Sequence, residues 1–237
     1  MVVCQREVAY LLTTMADVQA RVRDDPALDA VLQCVRQRAS DDPGHDLGHS
    51  LRVAAWTLRL LPSPADQRAA IAAALLHDVV NVPKDSPERA RASELSAEAA
   101  RPVLEHAGFG SDAIATICDA IRDHSFSSGR AARSDLGRAL QDADRLEALG
   151  ALGIFRTIST GVTMGAKYFH AEDPWARRRA LDDRRYTIDH FFTKLLHLPS
   201  RMNTVAGRTE AERRVAFLRA FLDELGRELD CNVDGSK

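Results

Sequence analysis

The chain has 237 residues, 32 Lys and Arg against 34 Asp and Glu, a formal net charge of −2, and is 45% hydrophobic and 28% charged. That length and balance fit a globular protein with a core of its own. They exclude a chain disordered throughout and a broadly basic nucleic-acid binder.

The longest purely apolar run, Ala69–Leu76, is far short of the ~20 residues that a membrane span needs. The N-terminus lacks the basic stretch and apolar core of a secretory leader. Cys4, Cys34, Cys118 and Cys231 have no paired metal or redox spacing. The expectation is a cytoplasmic protein with reduced thiols, no membrane contact and no nucleic-acid partner.

The hydrophobic period is helical along nearly the whole chain. Val8, Leu11, Leu12, Met15, Val18 and Val22 form one stripe, and Leu51, Ala54, Ala55, Leu58 and Leu61 form another. Ala65 to His77 reads as a buried central helix, because alanine favours helix and permits close packing. Glu88 to His106 reads as one helix, kinked or broken at Pro102. Ile114, Ile117, Cys118 and Ile121 form a stripe behind an N-cap at Ser111-Asp112. Asp144 to Ser159 reads as a further helix and Gly161 to Pro174 as a long loop. Val215, Leu218, Leu222, Leu225 and Leu229 close the chain with a last stripe. No run of alternating β-branched residues calls for a sheet. The expectation is one all-α domain over 1–237, with its core at 27–160 and the C-terminal loop and helices 161–237 packed on it.

Histidines and carboxylates gather at four places: Gly44 to His49, Leu75 to Asp78, Ile121 to Phe126, and Gln141 to Leu146. Any one of them has a plain structural explanation. Taken together they can converge from facing helices of a bundle, with Asp144 opening one of them. Two imidazoles and two carboxylates suit a divalent cation such as Mn²⁺, Fe²⁺, Zn²⁺ or Ni²⁺. A metal held in this way acidifies water and polarises phosphoryl oxygens.

These residues resemble the HD-domain metal-dependent phosphohydrolases, whose pattern is a His, a His-Asp pair and a distant Asp. The matching positions are His49, His77, Asp78 and Asp144. Longer strings are similar to one bacterial subgroup: His45 to Val53, Pro83 to Pro87, Asp123 to Ser127, Gln141 to Gly150, Leu181 to Tyr186 and Lys194 to Pro199. The resemblance implies an HD helical bundle with flanking N- and C-terminal helices. It implies that those four positions ligate a metal, Mn²⁺ first, with Mg²⁺, Co²⁺, Ni²⁺, Fe²⁺ and Zn²⁺ as alternatives. It also implies hydrolysis of a nucleotide phosphoanhydride, nucleoside triphosphate giving monophosphate and pyrophosphate.

A 5′-nucleotidase, a phosphodiesterase and a non-catalytic nucleotide-binding sensor are the alternatives on the same site, and a homodimer is the candidate assembly of the protein. Guanosine-polyphosphate hydrolases of similar skeleton carry Glu-Asp soon after the His-Asp pair, where this chain has Val79 to Val82.

Asp78, Lys84, Asp85 and His124 are the catalytic candidates. Lys84 can neutralise phosphate as a point charge. Asp85 can take a proton from water, and His124 can give one to a leaving oxygen. Lys84, His124 and Arg145 are the substrate-binding candidates. His45 reads as a residue that orients a ligand, and His106 as structural. Asp142 reads as a helix N-terminal carboxylate. Arg177 to Arg179 with Arg184-Arg185 read as a solvated face.

Overall fold

A computed structural model of the chain describes residues 13–38, 46–63, 67–80, 82, 86–125, 129–231 and 233. It is all-α: the sole β pairing among the described residues is an isolated bridge between Lys167 and Tyr186. None of the described helices is long and apolar enough to cross a membrane. The chain divides into two compact units, Met1–Asp144 and Arg145–Lys237.

The first unit holds α1 (Met15–Asp24), α2 (Pro26–Arg38), α3 (Leu47–Leu60), α4 (Gln67–Leu76), α5 (Ala92–His106), α6 (Ser111–Asp123) and most of α7 (Asp135–Glu147). Residues Ala70 to Leu76 of α4 are all buried, and α4 packs against α2, α3, α5 and α6. Four alanines in that run let the neighbouring helices approach closely, so the Ala-rich segment is the centre of this unit. Residues 1–12, with Val8, Leu11 and Leu12, lie outside the described residues.

The second unit begins in the last turn of α7. It continues through α8 (Gly150–Thr163), α9 (Asp189–Thr193), a 3-10 segment (Leu195–Arg201) and α10 (Val205–Glu228). Within it α10 packs on α8 and on the 3-10 segment.

Several boundaries differ from the sequence expectations. The segment from Glu88 is a 3-10 turn, Pro87–Arg91, before α5 begins, and α5 runs through Pro102 without breaking. The N-cap of α6 is Gly110, and Ser111 is already helical. Asp144 does not open a helix. It lies near the end of α7, and Asp142, placed by its sequence at a helix N-terminus, is buried in the second half of α7.

The break between α7 and α8 falls at Ala148-Leu149, and Gly150 makes the turn with φ +71°. That left-handed conformation costs other residues ~1–2 kcal/mol. Gly161 to Thr163 belong to α8 and not to the expected loop. The helix ends at Thr163 and is closed by Gly165 (φ +69°), with Gly165 N–H donating to the Val162 carbonyl and Ala166 N–H to the Gly161 carbonyl. This is a Schellman closure, which satisfies two of the terminal carbonyls.

Candidate metal centre

α3 delivers His49. Asp46 caps the helix by accepting from the His49 backbone N–H at 2.7 Å, which places the imidazole in the first turn. α4 delivers His77 and Asp78 in the turn after its last residue, Leu76. α6 ends at Asp123, so His124 occupies its C-cap. α7 delivers Asp144. All of these residues belong to the first unit.

Their ring nitrogens and carboxylates converge. His49 Nε2 lies 3.2 Å from His77 Nε2 and 3.6 Å from Asp144 Oδ1. His77 Nε2 lies 3.4 Å from Asp78 Oδ2 and 3.9 Å from Asp144 Oδ1. His124 Nε2 lies 3.5 Å from Asp78 Oδ1. The rings of His49 and His77 are buried, whereas Asp78 and Asp144 each keep 24% of the side chain open to solvent. The cluster therefore has a closed side of nitrogen and an accessible side of oxygen.

The two central histidines are oriented by carbonyls at the end of their own helices. His77 Nδ1 lies 2.7 Å from the Ala74 carbonyl, and His124 Nδ1 lies 2.7 Å from the Ile121 carbonyl. A carbonyl only accepts, so each Nδ1 carries the proton. In the neutral ring each Nε2 then presents its lone pair to the cluster. Burial holds the His77 imidazolium pKa down at about 4, against the opposing pull of Asp78. This ring is neutral at neutral pH, which is the form that ligates a cation.

Burial also opposes protonation of His124, but the hydrogen bond and charge of Asp78, with Asp144 behind it, outweigh burial and raise its pKa. Desolvation of Asp144 is likewise outweighed, by His77 and His49, and its carboxyl is held below the usual range.

Donor atoms ~2.1 Å from a common ion stand ~3.0 Å apart at right angles and ~3.4 Å apart at the tetrahedral angle. His49, His77 and Asp144 offer atoms within 4.8 Å of one another, and so do His77, Asp78 and His124. The donor set, imidazole nitrogen with carboxylate oxygen, fits a divalent cation.

The four expected ligands thus meet at His77, with His49 and Asp144 in one group around it and Asp78 in a second group with His124. His45, Lys84 and Asp85 lie outside the described residues. Arg145 opens the second unit, and its Nη1 donates to the Arg201 carbonyl. His106 ends α5 as an exposed residue. The run Arg177 to Arg179 is not uniformly a solvated face, because Arg179 Nη2 donates to the buried Asp189 at 2.8 Å. Sequence reasoning missed Asp46 as the cap that sets His49. It also missed the carbonyls of Ala74 and Ile121, each three residues before the histidine that it holds. The cap had a readable signal, an Asp three residues before His49 at a helix start.

The HD domain family matches residues 46–149, which contain the whole cluster. The Bacillus subtilis (strain 168) protein YpgQ is 31% identical over 194 residues, covering 80% of this chain and 86% of that protein. The crystal structure of Bacillus subtilis YpgQ in complex with ADP superposes with a TM-score of 0.63 at 28% identity, over 84% of this chain and 97% of that one. An HD-superfamily hydrolase from Bacillus thuringiensis superposes with a TM-score of 0.61 at 27% identity, over 90% of this chain and 98% of that one.

Proposed function

Because this chain belongs to the HD-domain family, we propose that it is a metal-dependent phosphohydrolase that splits nucleoside triphosphates to monophosphate and pyrophosphate, with Mn²⁺ as its first-choice ion. The observation that carries this reading is the meeting at His77 of two groups of donor atoms, His49, His77 and Asp144 in one and His77, Asp78 and His124 in the other, with the histidines buried and the carboxylates of Asp78 and Asp144 partly open. The similar protein YpgQ binds ADP in its crystal, which supports a nucleotide over other phosphate esters.

In this reading His49, His77, Asp78 and Asp144 hold the ion. When bound, a divalent cation supplies an acidified water and polarises a phosphoryl oxygen. The chain's residues do the rest. Ala74, through its carbonyl, keeps the His77 lone pair aimed inward. Asp78, between His77 and His124, orients the nucleophile and by its charge favours the protonated form of His124. His124, whose raised pKa favours the protonated form, donates toward the leaving phosphate oxygen as that oxygen gains charge. Lys84 and Arg145 are assigned to phosphate charge, and Asp85 to taking the proton from water.

Metal-stripped protein is assayed with Mn²⁺, Mg²⁺, Co²⁺, Ni²⁺, Fe²⁺ or Zn²⁺ in turn on nucleoside tri-, di- and monophosphates, with phosphate and pyrophosphate scored separately. Metal-dependent pyrophosphate release is expected, and Asp78→Ala abolishes it while the far-UV spectrum is retained. Orthophosphate from monophosphates overturns the diphosphatase reading in favour of a nucleotidase. Silence from a folded protein shown to hold an ion overturns it in favour of a nucleotide sensor.

A further inference from the structure

His124 sits where α6 ends, and the backbone carbonyls of Asp123 and Arg130 on either side of it are held by a single side chain. Gln141 on α7 is 2% exposed, and its Nε2 donates to the Asp123 carbonyl at 2.9 Å and to the Arg130 carbonyl at 3.2 Å. A primary amide nitrogen carries two N–H donors, so both bonds form at once. Asp123 immediately precedes His124, and its carbonyl is one of those that a helix C-terminus leaves without an intrahelical partner. Asp144 follows Gln141 by three residues on the same helix, hence on the same face.

A second tie runs in parallel. The buried Asp123 carboxylate accepts from Arg133 Nε at 2.8 Å and Nη2 at 3.4 Å. The backbone and the side chain of the residue before His124 are therefore fastened by different partners, Gln141 and Arg133.

We propose that Gln141 is a positioning residue for His124. It ties the Asp123 carbonyl to α7 and so sets His124 Nε2 against Asp78. The catalytic consequence rests on the phosphohydrolase reading above; the tie of Gln141 to the Asp123 backbone does not. A reacting group misplaced by ~1 Å loses on the order of 100-fold in rate, so an amide that fixes the backbone beside His124 acts on turnover without touching substrate.

The test uses the full chain with Gln141→Met, which keeps the length and removes both donors, together with His124→Ala and the double variant. Gln141→Asn, one methylene short, replaces Gln141→Met if that variant does not fold. The expected result is a fall in kcat of ~10–100-fold for Gln141→Met, with KM and Mn²⁺ affinity unchanged. The double variant should be no slower than His124→Ala alone. Amide hydrogen exchange should accelerate in peptides covering 118–125 and stay unchanged in α10.

A double variant slowed by the further full factor overturns the proposal, because Gln141 then acts independently of His124. Loss of Mn²⁺ binding along with turnover also overturns it, because Gln141 then serves Asp144. Unchanged exchange at 118–125 overturns it whatever the rates are. If the wild type turns over no nucleotide, the phosphohydrolase reading has failed, and exchange alone decides the role of Gln141.

Discussion

The imidazole of His77 is neutral in the folded protein and basic in the unfolded chain, so its protonation is linked to stability. Its pKa falls from 6.5 to about 4 on folding. The unfolded chain therefore binds a proton that the folded chain refuses, and stability is lost as pH drops through that window. His124 has the opposite sign. Its folded pKa is raised, so its contribution is complete below 6.5 and is lost as pH rises through the folded value. The metal-free protein is expected to show its highest Tm near pH ~6.5, checked by calorimetry in chelator from pH 4.5 to 8.5. His77→Gln flattens the acid limb and His124→Asn the alkaline limb. An acid limb unchanged in His77→Gln refutes the buried neutral imidazole.

At the scale of elements, glycines decide how α8 is placed within its unit. A Cβ on Gly153 would lie 2.2 Å from the carbonyl oxygen of Ala148, and one on Gly161 would lie 2.2 Å from Thr187 Oγ1. The first neighbour is backbone and cannot turn away, whereas the second is a side chain. Gly161→Ala is expected to cost ~1–3 kcal/mol by overpacking in urea denaturation, and Thr187→Ala in the same chain should restore most of it. Gly153→Ala should cost at least as much and gain nothing from Thr187→Ala.

The loop after α8 depends on Asp173, which accepts from the backbone N–H groups of Arg177 and Arg178 at 2.9 Å each. Those bonds, the Arg178 one first, outweigh desolvation and lower its pKa. Asp173→Asn should release this turn, read as faster amide exchange at 177–179.

For the whole molecule, the division into two units locates the effect of metal. Every cluster residue precedes Arg145, so a bound ion stabilises the first unit directly. An ion at 100-fold its Kd adds ~2.7 kcal/mol to the state that binds it. Adding Mn²⁺ to metal-stripped protein is expected to raise Tm and to slow exchange in peptides covering 46–60, 70–80 and 140–147, with no slowing in α10. Protection confined to α10 would place the ion elsewhere.

The helical class and the Ala-rich central helix were readable from residues alone, whereas the choice of His49, His77, Asp78 and Asp144 came from the resemblance to the HD-domain family. Helical periodicity and residue type report which side chains want burial and which atoms can ligate, and both are local properties of the chain. Helix ends were read less well. The 3.6-residue period runs on through Ala148-Leu149, and nothing in it shows that Gly150 turns left-handed or that Asp144 closes α7 instead of opening α8.

Asp142 was misread for the same reason: a carboxylate at a helix start and one in a helix interior look alike until the helix has bounds. Only the tertiary structure decided which nitrogen of each histidine faces the cluster, because the partners are backbone carbonyls that every residue carries. It alone assigned Gln141 to the backbone of Asp123 and Arg130, since a bond between residues 18 positions apart depends on how α6 and α7 pack and leaves no mark on either segment.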